Sequence, residues 1–254
     1  MEIVPRQPKK TVDVSRGRVT GGDAIKTLIG VIVFLTVVYL LLGWFGILIS
    51  KTIPDRWEKK LNVTSALENP NGGSLERPQR ILDQLMCGKT LRDLDYRLFW
   101  LAKDVPNAVA VPGGGIGVSS ALLDSVESDV SLAFILAHEL GHHQSRHILR
   151  VLGRKLTVSF ALAMTVGSDF NGLHAAIEVA DGTYSRHHER EADDFGLRLV
   201  HEQFCTTEGA FEFFEDMRRL NKEWLLQKYL GSHPLTTERL DDLRALQREL
   251  NETQ

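Results

Sequence analysis

Eleven residues, Ala137 to His147, read AHELGHHQSRH and hold four of the chain's nine histidines. Among them His138, Glu139 and His142 form the pattern His-Glu-x-x-His. On a helix, positions i and i+4 share one face, so both imidazoles can reach a single divalent ion. Glu139 then projects towards the position such an ion leaves open, where a carboxylate can take a proton from water. The chemistry in question is hydrolysis assisted by a metal, and zinc suits the donor types.

A third protein ligand is needed. The longer pattern His-Glu-x-x-His-x-x-Gly-x-x-His is excluded, because Ser145 and Ile148 stand where its glycine and third histidine belong. His143 lies about 100° round the helix from His142. Neither it nor His147 fits the third place, and both are expected to be solvated or structural. An acid on another helix is the alternative. The stretch SRHHEREADDFG, Ser185 to Gly196, offers Glu189, 47 residues past His142 (189 − 142). Asp193, four residues on and on the same face, is placed to accept a hydrogen bond from a ligand histidine's second nitrogen. Alone, this acidic stretch reads as a solvated helix face; the histidine pair gives it meaning.

These residues need a scaffold. The 254 residues are 43% apolar and 25% charged, enough for a real core. A net charge of -3 gives no sign of a general nucleic-acid binder. Ser131 to Leu152 is expected as one helix, followed by the amphipathic segments HEREADDFGLRLV and EGAFEFFEDMRRLNKEWLLQKYL. LTTERLDDLRALQREL closes the chain, with Thr236 or Thr237 as N-cap. LTVSFALAMTVG, at twelve residues, is too short to cross a bilayer and reads as a core helix or one that dips into a membrane. Upstream, DYRLFWLAKD and NAVAVPGGGIGVSS are two expected strands, the second held to an edge or bulge by Pro112. Gly113 to Gly115 mark a bend that brings the backbone close to a neighbour; the spacing of a phosphate cradle is missing. Cys87 and Cys205 fit neither a zinc finger nor a Cys-x-x-Cys pair, leaving one disulfide or two buried, inert thiols.

One segment departs from this globular pattern. TLIGVIVFLTVVYLLLGWFGILIS, Thr27 to Ser50, carries no charge over 24 residues between Lys26 and Lys51. Since about 20 helical residues cross the hydrocarbon core, an uncleaved transmembrane anchor is expected. Arg16, Arg18 and Lys26 precede it closely and Lys51, Arg56, Lys59 and Lys60 follow, so flanking charge does not set its orientation. A first apolar segment so near the N-terminus favours that terminus inside. The expected division is a basic, disordered arm over residues 1–26, an anchor over 27–50, a linker over 51–78 and a metallopeptidase domain over 79–254.

HELGHH, YSRHHEREAD and GSHPLTTERL, in that order, resemble the HtpX/BepA-like membrane-associated zinc metallopeptidases, over about Leu82 to Leu246. The resemblance implies a mainly α (α+β), zincin-like helical domain with a small β-sheet or hairpin. It implies one Zn2+ on His138, His142 and Glu189, with Glu189 rather than Glu191 opening the family's Glu-x-x-Ala-Asp motif, and Glu139 as general base. Val109, Ala110 and Val111 resemble the family's substrate-facing strand and would bind an extended substrate as an added strand. His233 is a candidate catalytic residue: it would stabilise an oxyanion, occupy the metal's open position at rest, or be only a loop histidine. Arg239 would hold that loop by an ion pair. The family's strand more often carries an aromatic where Gly115 and Gly117 stand, and other members have several spans or added helical repeats. A minimal, singly anchored member is therefore expected.

The function implied is a membrane-anchored zinc endopeptidase in quality control of unfolded or misassembled envelope and membrane proteins. Its expected place is a bacterial inner membrane, with the C-terminal domain in the periplasm. Expected partners are unfolded or misfolded polypeptides and the lipid bilayer around residues 27–50, with no nucleic acid. Two alternatives stand: a membrane-tethered zinc chaperone or binding protein with little or no catalysis, and a zinc hydrolase of a non-peptide substrate. Glu139 argues against the first, since a binder needs no general base.

Overall fold

The computed structural model describes residues 21–61, 63–69, 73–166, 184–219, 233 and 236–252. Most of the expected arm, residues 1–20, lies outside the described residues, as do 167–183, 220–232 and the side chains of 157–166. The two readings of LTVSFALAMTVG therefore fall outside them too. The chain divides into two units, residues 1–42 and 43–254.

Helix α1, Gly21–Thr52, is 32 residues long and includes the segment for which an anchor is expected. Ile25, Leu28, Phe34, Leu40 and Trp44 are exposed apolar groups on it. Among the described residues no helix is long and apolar enough to cross a membrane, although several of α1's own side chains are not among them.

After α1, the second unit continues with three short elements: α2 (Asp55–Glu58), α3 (Thr64–Leu67) and α4 (Glu76–Met86). A three-stranded sheet follows, with β1 (Arg97–Trp100), β2 (Ala108–Val111) and β3 (Gly115–Val118) in the order β1-β3-β2. β3 is parallel to β1 and antiparallel to β2. NAVAVPGGGIGVSS is thus a hairpin of two strands where sequence suggested one. Gly113 and Gly114 turn the chain with φ of 92° and 102°, values most side chains avoid. A Cβ on Gly114 would lie 2.7 Å from the Asp95 carbonyl carbon, so the expected close backbone approach is present. Pro112 falls in the turn, where its missing N–H costs no ladder bond.

α5 (Ser120–Ser125) leads into α6 (Asp129–Gln144), the centre of the unit. Ser128 caps α6, its side chain accepting from Ser131 N at 3.3 Å. Every residue from Ser131 to His143 is buried, as expected of a helix packed on all sides. Ile81, Leu82 and Leu85 of α4 join its core, and β2 packs alongside.

The expected single helix from Ser131 to Leu152 is instead two. α6 ends at Gln144, and α7 (His147–Val166) starts after Arg146, whose φ is 55°. Arg146 N bonds the His143 carbonyl at 3.1 Å, closing a tight turn, and its guanidinium reaches Asp55 at 2.9 Å. Those bonds hold a backbone conformation that a side chain of this size otherwise disfavours.

α8 (Arg186–Phe204) is capped by Ser185 and packs across α6; α9 (Glu212–Arg219) and α10 (Thr237–Glu252) complete the described elements. At the crossing, a Cβ on Gly141 would lie 2.9 Å from Ala192 Cα, and one on Gly196 would lie 2.9 Å from His138 N. The glycines let the two backbones touch. Thr236 caps α10, accepting from Arg239 N at 3.2 Å. No disulfide joins Cys87 to Cys205, and neither thiol is buried: both residues end helices at the surface.

Candidate metal centre

α6 presents His138 and His142 one turn apart, and the close crossing brings the first turn of α8, with Glu189, to the same point. His233 completes the group. One donor atom from each of the four lies within 4.8 Å of every other, and all four residues are buried. His138 Nε2 and His142 Nε2 are 3.0 Å apart, and they stand 3.6 and 3.5 Å from the two Glu189 oxygens. His233 Nδ1 lies 3.2 Å from both His138 Nε2 and Glu189 Oε1. Tetrahedral zinc with ligands near 2.0–2.1 Å would separate its donors by about 3.3 Å. The donor set therefore fits that ion in type and in spacing.

Glu139 lies fully buried beside this group, and neither carboxylate oxygen makes a hydrogen bond among the described residues. His233 Nε2 approaches its Oε1 to 3.4 Å. A buried carboxyl group without hydrogen bonds is costly, and such exceptions occur where a group is kept for chemistry.

Around the donors runs a layer of polar side chains. Asp193 Oδ1 meets His138 Nδ1 at 2.9 Å, the contact the sequence spacing suggested. Arg239 clamps both acids: it donates to the two Asp193 oxygens at 2.8 Å each and reaches Glu189 Oε2 at 2.7 Å. The sequence offered Arg239 only as a holder of its own loop. Burial opposes ionisation of Glu189, but His233, His138 and Arg239 outweigh it and lower its pKa. Asp193 is likewise lowered against burial, by His138 and Arg239. His233 is raised, because Glu189 and Glu139 overcome its desolvation. Burial and neighbouring histidines hold His142 well below its usual value, in the neutral form that ligates.

His143 and His147 are structural and wholly buried, not solvated. His143 Nε2 donates to the Gly115 carbonyl at 3.2 Å, tying α6 to β3, and burial pushes its pKa down to about 3. His147 Nδ1 meets His142 Nδ1 at 3.0 Å, and its Nε2 meets Glu191 at 2.7 Å. Sequence reasoning missed this contact, because on a straight helix residues five apart point about 140° from one another. The break at Arg146 turns His147 back. Tyr184, also missed, stacks on His142 at 3.9 Å between ring centroids. Burial, with Glu139 and Glu189 nearby, raises its phenol well above the ordinary value.

Val109, Ala110 and Val111 form most of edge strand β2 and are at most 1% exposed. Phe99 of β1 covers Gly117, where a Cβ would come within 2.7 Å of its ring. An aromatic from the neighbouring strand thus takes the space beside that glycine.

Residues 75–247 match the profile described as Peptidase family M48. Metalloprotease YcaL of Escherichia coli is 30% identical over 161 residues, 59% of this chain and 61% of that protein. Mitochondrial metalloendopeptidase OMA1 of Saccharomyces cerevisiae is 28% identical over 148 residues, 54% of this chain and 42% of its own length. The beta-barrel assembly-enhancing protease of Escherichia coli is 27% identical over 166 residues, 59% of this chain and 34% of that protein. The matched part therefore spans less than two thirds of each.

Proposed function

Because the chain belongs to peptidase family M48, we propose that it is a zinc-dependent endopeptidase of unfolded or misassembled polypeptides, held to a membrane by residues 27–50. The observation that carries this reading is the buried group of His138, His142, Glu189 and His233, set beside a Glu139 whose carboxylate has no hydrogen-bond partner among the described residues. A zinc ion held by His138, His142 and Glu189 supplies a Lewis acid that acidifies water and polarises a peptide carbonyl.

The chain's own residues do the rest. Glu139 accepts the proton of the attacking water and returns it to the leaving amine. Asp193 fixes His138 through its Nδ1, and Arg239 keeps Glu189 and Asp193 ionised and in place. His233 is the fourth member of the buried donor group, its Nδ1 3.2 Å from both His138 Nε2 and Glu189 Oε1. On this reading His233 closes the site at rest and must withdraw for turnover, when its proximity to Glu139 suits it to donate to the carbonyl oxygen. β2 offers an edge for substrate backbone, as the family resemblance suggests. Because Val109, Ala110 and Val111 are buried, substrate reaches that edge only after its cover moves. An envelope quality-control role draws on the relative named as a beta-barrel assembly-enhancing protease.

Replacing Glu139 by Gln tests the assignment. Cleavage of unfolded casein should fall by about 10²–10⁴-fold, while the protein still carries one zinc per chain. A chelator should abolish cleavage by the parent. Survival of activity in Glu139→Gln would remove the general base from the scheme. A parent that binds casein and zinc but never cleaves would favour the tethered binding protein instead.

A further inference from the structure

His138 and His142 both have the ring nitrogen that faces away from the donor group engaged, but in different ways. His138 Nδ1 meets the carboxylate of Asp193 directly, at 2.9 Å. His142 Nδ1 meets another imidazole, His147 Nδ1, at 3.0 Å, and His147 Nε2 goes on to Glu191 Oε2 at 2.7 Å. We propose that His147, oriented by Glu191, is a positioning residue for zinc: it accepts the Nδ1–H of His142 and so leaves the Nε2 lone pair of His142 for the metal. This rests on the reading of His142 as a ligand.

Hydrogen-bond accounting leads there. An ionised Glu191 can only accept, so His147 Nε2 carries the hydrogen of that contact. A neutral imidazole has one N–H, which leaves a lone pair on His147 Nδ1. Two ring nitrogens 3.0 Å apart cannot both present lone pairs, so the hydrogen between them belongs to His142 Nδ1. His142 Nε2 is then a bare acceptor, and it is the atom that faces His138 Nε2 and Glu189.

The rings are also held in plane. His147 stacks on His188 with centroids 4.2 Å apart and an 18° tilt, and His142 stacks on Tyr184 at 23°. The α6–α7 break at Arg146 makes the pairing possible, since a continuous helix would turn residues 142 and 147 to different faces. Hydrogen bonds that fix a ligand histidine in this way typically change metal affinity by about 10–100-fold when removed.

A purely space-filling His147 would make no such demand on hydrogen bonding, and this separates the two roles. Zinc affinity would be measured on the full-length protein in detergent by competition with a chromophoric chelator. His147→Leu keeps bulk but removes the acceptor, and should weaken zinc binding by about 10–100-fold. His147→Asn places an amide oxygen near the former Nδ1 and should bind zinc close to the parent's affinity. A Leu variant as tight as the parent overturns the proposal, and so does an Asn variant as weak as Leu. The Asn variant decides the matter even where Leu lowers the thermal midpoint of the metal-free protein. If His142→Ala itself held zinc at the parent's affinity, the ligand assignment beneath the proposal would fall instead.

Discussion

Arg239 touches both acids of the metal centre, and its charge matters most when no cation lies between the histidines. Glu189 and Asp193 are nearly inaccessible to solvent, so removing the guanidinium leaves two buried carboxylates without the cation that contacts them both. Breaking a buried pair in this way costs about 3–5 kcal/mol. Zinc at the site offsets part of the loss, because Glu189 then faces a divalent ion. The thermal midpoint of Arg239→Leu should therefore fall steeply in chelator and less with zinc. An equal fall in both conditions would reduce Arg239 to packing. Legibility at this scale followed distance along a continuous helix. His138 and His142 share a helix face, and Asp193 sits one turn from Glu189, so spacing exposed each pair. Arg239 meets Asp193 across 46 residues and His147 meets His142 round a helix break, and neither leaves a periodic trace.

Helices and strands were legible where burial imposes a period, and misread where a few bonds interrupt one. The α8 pattern of Glu189, Ala192, Asp193, Gly196 and Leu197 is an ordinary buried stripe, and it was read as one helix. What the stripe does not announce is that Gly141 and Gly196 are placed for a crossing close enough to bring Glu189 to the histidines. The hairpin and the α6–α7 break were missed because positive φ at Gly113, Gly114 and Arg146 is a backbone property, only partly marked by residue type. The joint between α2 and α6 likewise has no sequence period. Arg92 bonds Asp55 and Glu58 of α2 and donates to the His143 carbonyl at 2.6 Å, so α2 is fastened to the end of the helix that carries His138 and His142. Burial tends to raise the pKa of Asp55, but Arg92 and Arg146 outweigh it, and the folded value lies below 3.8. A depressed carboxylate stabilises the fold above its unfolded pKa and loses that contribution as pH falls through the folded one. Asp55→Asn should therefore melt below the parent at neutral pH, with the gap closing as pH is taken below 3.8. A gap independent of pH would show that Asp55 acts through packing rather than charge.

At the scale of the molecule, the proposal joins a hydrolytic centre to a bilayer, and the side it faces is a matter for experiment. The segment Thr27 to Ser50 is uncharged and lies within helix α1, which reaches Thr52. Just beyond the helix, Arg146 bonds the Ile53 carbonyl, and the Asp55 joint follows. Charge does not choose the side, because three basic residues closely precede the segment and four follow it. Moreover Lys59, one of the four, pairs with Asp93 at 2.7 Å, which weakens it further as a topological signal. The orientation is therefore a proposal to be tested: with the N-terminus inside, the peptidase would lie in the periplasm of a Gram-negative cell. The full-length chain, tagged at its C-terminus and produced in such cells, should be degraded by protease added to intact spheroplasts. A cytoplasmic marker should survive the same treatment, and carbonate washing should leave the chain in the membrane before protease is added. Protection of the tag until the spheroplasts are lysed would place the centre on the cytoplasmic face. Release by carbonate would remove the anchor itself.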